Sequence, residues 1–278
     1  MKLNYVLLRI ARHFMPASLA RLFLRRGLII RPGPETSAPQ SAVDRYQAGL
    51  EELGCSFQGK RVLVLGYGGS FAVGCALLDR GAKHVVLCDP YAPPDHERNR
   101  LLLQTYAAYV SQVGNQVILN PRYFSLLEAD IRQVAEQNTF QPVDIVVSSS
   151  VYEHLDDVEG ITSALAQITR PDGLGLHFVD LRDHYFRYPF EMLRYSSKTW
   201  HDWFNPTSNL NRCRLWDYRQ SFERYFKRVE IRILDRDDLA FEKARAKIRP
   251  EFLSGNLVED AATVIRVTMG EPILATKK

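Results

Sequence analysis

Few cysteines, no long apolar run, no repeat and no acid near the start: these shortages bound the 278-residue chain before any motif is read. The four cysteines, Cys55, Cys75, Cys88 and Cys213, are scattered, and none forms a C-x-x-C pair. That excludes a disulfide scaffold and a structural zinc site, and it reads as a reduced, cytoplasmic protein with no metal ligand set. Arginines break every apolar run in the first 31 residues well short of a membrane span. The same breaks, with no small-x-small cleavage site after them, argue against a signal peptide. No acid precedes Glu35, whereas Lys2, Arg9, Arg12, Arg21, Arg25, Arg26 and Arg31 do. Removing those seven charges from the net +4 leaves the remainder at −3. A mildly acidic body lacks the basic face of an enzyme that modifies nucleic acid. What is present, 46% hydrophobic and 24% charged residues, suits a soluble chain with one large core or one core and an appendage.

The most informative stretch is Arg61 to Ser70, RVLVLGYGGS. Val62 to Leu65 form a short apolar run suited to a strand buried on both faces. Gly66, Gly68 and Gly69 follow, where the backbone must turn sharply and approach a ligand without a Cβ. Ala72 to Arg80 reads as a helix stopped by Gly81. His84 to Cys88 is a second apolar run, closed by Asp89 about 20 residues past the glycines, where doubly wound folds set a carboxylate on ribose hydroxyls. The unit predicts an adenosine-type ligand. A dinucleotide fingerprint wants glycine or alanine at the place held by Phe71, which argues against NAD.

The loop resembles motif I of the class I S-adenosylmethionine (SAM)-dependent methyltransferases, a hydrophobic strand followed by G-x-G-x. The stretch from Val143 to Leu155, with Ser148, Ser149 and the Glu153-His154-Leu155 ending, resembles the type-11-like subgroup. The resemblance implies an α/β, doubly wound, mostly parallel seven-stranded sheet with helices on both faces and an antiparallel last strand. It implies SAM as cofactor, held by Gly66, Tyr67, Gly68 and Gly69, by Asp89 with Pro90, by Asp130 with Ile131 at the adenine, and by Ser148 and Ser149 beside the sulfonium. One departure stands out: the family often has an acid two residues before the first glycine, and here Val64 occupies it. Asp130 also reads as a helix N-cap.

Residues 1–40 read as a basic amphipathic segment and linker, and residues 41–278 as the methyltransferase domain. The segment is expected as two short helices split at Pro16. It either lies on an anionic membrane surface, making a cytoplasmic protein peripheral, or docks on the domain as a cap; docking is preferred. Pro32 to Gln40 reads as the linker and Val43 to Leu53 as a helix. A long helix is expected from Asp95 to Val113. Residues 183–218 hold all three tryptophans and seven further tyrosines and phenylalanines. Placed just past the fifth strand of the sheet, they are read as an acceptor-binding insertion, with Tyr185, Tyr188, Trp200 and Trp203 as substrate contacts; the alternative is a satellite hydrophobic cluster. Methyl transfer to an oxygen acceptor, small or lipid-linked, can call for a base; the candidates are His154, His184, Glu153 and Asp180, with His184 first, because Asp180, Asp183 and Tyr185 around it could orient its ring, and His154 second. A nicotinamide oxidoreductase and a non-catalytic membrane-peripheral protein are the other classes weighed.

Overall fold

The computed structural model describes residues 3–26, 38–137, 139–184 and 187–273. Strand β1 (Arg61–Leu65) stands at the centre of a seven-stranded sheet. Beyond it on one side lie β2 (His84–Cys88) and β5 (Phe124–Leu127), and on the other β6 (Val143–Ser149) and β7 (Thr169–Asp180). These five are parallel. Past β7 comes β9 (Ala262–Pro272), antiparallel to β7, and then the edge strand β8 (Phe226–Arg236). The strand order reverses between β1 and β6, so the crevice for a ligand opens at their carboxyl ends.

Strand alternation sorts the apolar residues onto two faces. Val62, Val64, Val85 and Leu87 pack with Val43, Tyr46 and Leu50 of helix α3 (Pro39–Glu51) and Val73 and Leu77 of α4 (Ala72–Asp79). Leu63, Leu65, Val86 and Val146 face Ile131 and Val134 of α5 (Ile131–Glu136), Leu165 of α6 (Val158–Ile168) and Phe222 of α7 (Leu215–Tyr225). The close helix–sheet approach after the glycine turn falls at Gly74, where a Cβ would lie 2.7 Å from Phe124 Cε1. That is why Phe71 is tolerated at the turn itself.

Three expectations change. The Asp95–Val113 helix shrinks to His96–Asn99 and a short 3-10 turn. A hairpin replaces the rest, β3 (Val110–Val113) against β4 (Gln116–Leu119). Its two-residue loop, Gly114-Asn115, has Gly114 at φ +58°, a backbone that ends a helix and turns a hairpin. The linker expected over Pro32 to Gln40 lies in part outside the described residues, and its last two residues already belong to α3, with Pro39 in the first turn. Pro171-Asp172-Gly173, which by composition reads as a turn before the fifth strand, is instead a bulge within β7: the pairing steps from Val143–Thr169 to Ile145–Leu174, so Arg170 to Gly173 stand opposite Asp144 alone.

The two amino-terminal helices are present as α1 (Leu3–His13) and α2 (Ala17–Arg26). α1 docks on the aromatic insertion, the preferred of the two readings. Tyr5 and Val6 join Phe190, Met192, Trp200, Phe204 and Leu210 in a third core. Phe241 of α8 (Asp238–Arg245) closes it from the far side. At its centre Arg9 and Tyr5 both bond the carboxylate of Asp183.

Candidate active site

The glycine turn has the backbone that its composition predicts. Gly66, Gly68 and Gly69 have φ of +76°, +63° and +80°. A Cβ on Gly66 would lie 2.4 Å from Val151 Cγ2, and one on Gly69 would lie 2.7 Å from the Pro93 carbonyl oxygen. Buried Asn99 fastens this turn: its Nδ2 donates to Gly69 O at 2.9 Å, and its Oδ1 accepts from Phe71 N at 2.9 Å. Nothing local in the sequence marks Asn99, because its partners lie about 30 residues upstream.

Asp89 faces the turn. Its Oδ2 accepts from Gly68 N at 3.1 Å, while its Oδ1 is held by Tyr91 N at 2.9 Å and Ala92 N at 3.0 Å. Burial raises its pKa, and the three backbone N–H groups pull the other way. Pro90 follows, exposed at the rim. Tyr67 is 2% exposed, and its hydroxyl has no partner among the described residues. Burial pushes that phenol up, and the carboxylates of Asp89 and Glu128 push it further. An orphaned buried hydroxyl beside a glycine turn and a carboxylate fits a bound nucleoside, which supplies hydrogen-bond partners to all three.

The remaining expected contacts divide. Asp130 caps α5 through Arg132 N at 2.9 Å, and the Arg132 guanidinium grips both its oxygens, holding its carboxyl below the usual range. The side chain is therefore engaged, Ile131 buries its own in the second core, and the N–H groups of Arg132, Gln133 and Val134 are already bonded to Asp130. Ser148 corrects the sequence reading. Alternation turns it inward, fully buried, with Oγ 2.7 Å from His177 Nδ1. Ser149 points to the other face, where Arg45 Nη2 donates to its Oγ at 3.4 Å. Arg45 also lies 5.0 Å over the Phe178 ring, a cation at the carboxyl ends of β6 and β7 that the sequence reading did not single out.

The aromatic insertion is mostly core. Trp200 is 4% exposed, donates Nε1 to Leu210 O at 3.0 Å, and is flanked by the guanidiniums of Arg9 and Arg212. As a substrate contact it is a correction: an indole with a satisfied N–H, closed in by packing, has no face for a ligand. Tyr188 packs edge-on to Tyr5 at 6.2 Å, and Trp203 is exposed against Phe14 of the amino-terminal segment. Tyr185 lies outside the described residues.

The two histidines come together, with ring centroids 4.9 Å apart. His154 ends the 3-10 turn Tyr152–His154 after β6, and His184 follows β7. The His154 Nδ1 proton goes to Asn209 O at 2.8 Å and Ser208 O at 3.1 Å, which puts the lone pair of the neutral ring on Nε2. Burial pulls both pKa values down, His184 to about 3 with help from His154, Arg9, Arg12 and Arg182. The acids expected to orient His184 have other partners: Asp180 is bound bidentately by Arg182, and Asp183 by Arg9 and Tyr5. Glu153, 3% exposed, completes a trio with the histidines, one ligand atom from each lying within 4.8 Å of the others. Val151, two residues earlier, is the one that touches Gly66, so trio and glycine turn adjoin.

No protein-family model matches the chain, and no curated protein does. Solved structures match it in fold. A protein described as a sarcosine dimethylglycine methyltransferase from Galdieria sulphuraria gives a TM-score of 0.50 at 14% identity, covering 91% of this chain and 97% of that one. The fold is that of the class I SAM-dependent methyltransferases. The 1,6-didemethyltoxoflavin-N1-methyltransferase of Burkholderia thailandensis, solved with 1,6-didemethyltoxoflavin and S-adenosylhomocysteine, also gives 0.50, at 12% identity over 91% of this chain and 86% of that one. β3 and β4 form a separate hairpin between β2 and β5 in chain order, and the aromatic segment follows β7.

Proposed function

We propose that the protein is a SAM-dependent methyltransferase acting on an oxygen of a small or lipid-linked acceptor. The observation that carries it is Asp89 Oδ2 turned to the glycine bend, 3.1 Å from Gly68 N, on the methyltransferase fold. Bound there, SAM supplies a methyl group on a positive sulfur, which needs little covalent help. The chain's own task is then to bind, orient and dry the acceptor. Asp89 accepts from the ribose diol, Tyr67 Oη and the turn's N–H groups meet the polar edges nearby, and the Asp130–Ile131 turn borders the adenine. The fit differs from the family's at Val64, which offers the methionine ammonium no acid. The acceptor oxygen is activated at the His154–His184 pair.

Calorimetric titration with SAM and with NADH tests this reading. SAM is expected to bind and NADH not; the reverse would make the chain an oxidoreductase. His184→Ala is expected to keep the SAM affinity and to cut turnover by roughly 100-fold or more, the usual share of an acid–base group. Unchanged turnover would take His184 out of the chemistry.

A second part of the reading places the amino-terminal helices on a membrane surface. Leu3, Leu7 and Phe14 are 64%, 57% and 62% exposed on a segment with no acid before Glu35. No helix among the described residues is long and apolar enough to cross a membrane. An exposed apolar face on a segment of basic sequence suits anionic lipid, with the rest of α1 buried in the third core. The protein is expected to float with vesicles rich in anionic lipid and not with neutral ones, and Leu3→Glu with Leu7→Glu should abolish flotation without unfolding the chain. Equal recovery of that variant would refute membrane contact through α1.

A further inference from the structure

We infer that Glu153, His154 and His184 form a binding site for one divalent transition-metal ion of the zinc and manganese class. A carboxylate oxygen and two imidazole nitrogens lie within 4.8 Å of one another. Zinc ligands about 2.0–2.2 Å from the ion stand roughly 3.4 Å apart in a tetrahedron, so modest side-chain rotations close the set. The trio comes from the carboxyl ends of two adjacent parallel strands, β6 and β7, and its backbone is braced from outside. Asn209 Nδ2 donates to His154 O at 3.0 Å, and Asn211 N donates to Glu153 O at 2.9 Å.

Two features favour a ligand role for the histidines. The His154 Nδ1 proton is given to backbone carbonyls, the outer hydrogen bond that fixes the tautomer of a metal-binding imidazole and aims its Nε2. Two of the nearby cations are already paired, Arg182 with Asp180 at 2.7 Å and Arg9 with Asp183. Two nitrogens and one oxygen suit zinc, manganese or iron better than magnesium or calcium, which favour all-oxygen shells. Three protein donors leave coordination positions open for an acceptor.

The ion's role rests on the methyltransferase reading; its binding does not. With an acceptor hydroxyl at an open position, the ion lowers the hydroxyl pKa and the proton leaves to water. The acceptor oxygen then forms a bond to the methyl carbon as the carbon–sulfur bond breaks. Sulfur keeps that electron pair and becomes a neutral thioether, so the charge lost from sulfur leaves as the proton.

The test uses the full chain without a histidine tag, stripped by chelator and titrated with zinc and manganese, and with cobalt to read its visible absorption. One ion per chain is expected. His184→Ala and Glu153→Gln should each weaken binding by roughly 100-fold or more, beyond the usual loss of an outer-sphere partner, with circular dichroism unchanged. His201→Ala, at an exposed histidine outside the trio, should bind as the unaltered chain does. No binding by the unaltered chain, or equal binding after all three ligands are replaced, overturns the site. Full methyl transfer by chelated protein overturns the ion's role and leaves the methyltransferase reading intact. Metal binding in a chain that binds no SAM supports the site and removes that reading instead.

Discussion

Asp183→Ala is expected to cost about 3–5 kcal/mol of folding stability, the penalty for stranding one member of a buried ion pair. The Arg9 and Asp183 side chains are 2% and 0% exposed. Replacing the acid leaves a guanidinium without its counter-charge, against the Trp200 ring at 4.9 Å and far from water. It also strips Tyr5 Oη of its acceptor, in a core where burial and Asp183 have already pushed that phenol up. Urea unfolding measures the loss. Arg9→Met with Asp183→Leu should recover most of it, because a well-packed apolar pair removes both charges at once. A single-variant loss below about 1 kcal/mol would mean that the pair behaves as an exposed salt bridge and that α1 docks loosely. Since α1 and His184 both meet the segment that Asp183 begins, the same variant should disturb the histidine pair.

The second large effect concerns Asp89. Asp89→Ala should weaken SAM binding by roughly 10²–10⁴-fold, from the loss of two hydrogen bonds to a charged acceptor at about 1.5–3 kcal/mol each. The carboxylate also anchors the 89–92 loop through Tyr91 N and Ala92 N, so alanine alone leaves two explanations. Asp89→Asn separates them. Its amide oxygen can still accept from the loop, but the other position becomes a donor, which meets both the Gly68 N–H and a ribose hydroxyl poorly. The asparagine variant should melt close to the unaltered protein without ligand and show little stabilisation by SAM. Full stabilisation by SAM would refute the ribose contact and reduce Asp89 to a loop anchor.

Much of this molecule is legible along the chain. Val62 to Leu65, the three glycines, the helix to Gly81 and the HVVLC-Asp89 strand are local patterns: an apolar run, residues free to take positive φ, a stop. Each is decided within a few residues by backbone sterics and side-chain period, and each forms as expected. The break at Pro16 and the antiparallel closing strand follow in the same way. The Gly114-Asn115 hairpin signal is equally local, and it, not the helix expected over Asp95 to Val113, sets the structure there.

What the tertiary structure alone decided is where the chain returns on itself. Arg9 meets Asp183 across 174 positions, Asn99 clamps a turn 30 residues behind it, and the Asn209 carbonyl selects the His154 tautomer from 55 residues away. Such partners leave no periodic trace, because they are chosen by the packing of whole elements. The same holds for the aromatic insertion, whose composition suits a ligand lid and a satellite core equally. Only the docking of α1 against it assigns Trp200 to the core, and only the neighbouring ends of β6 and β7 bring Glu153 and His154 to His184.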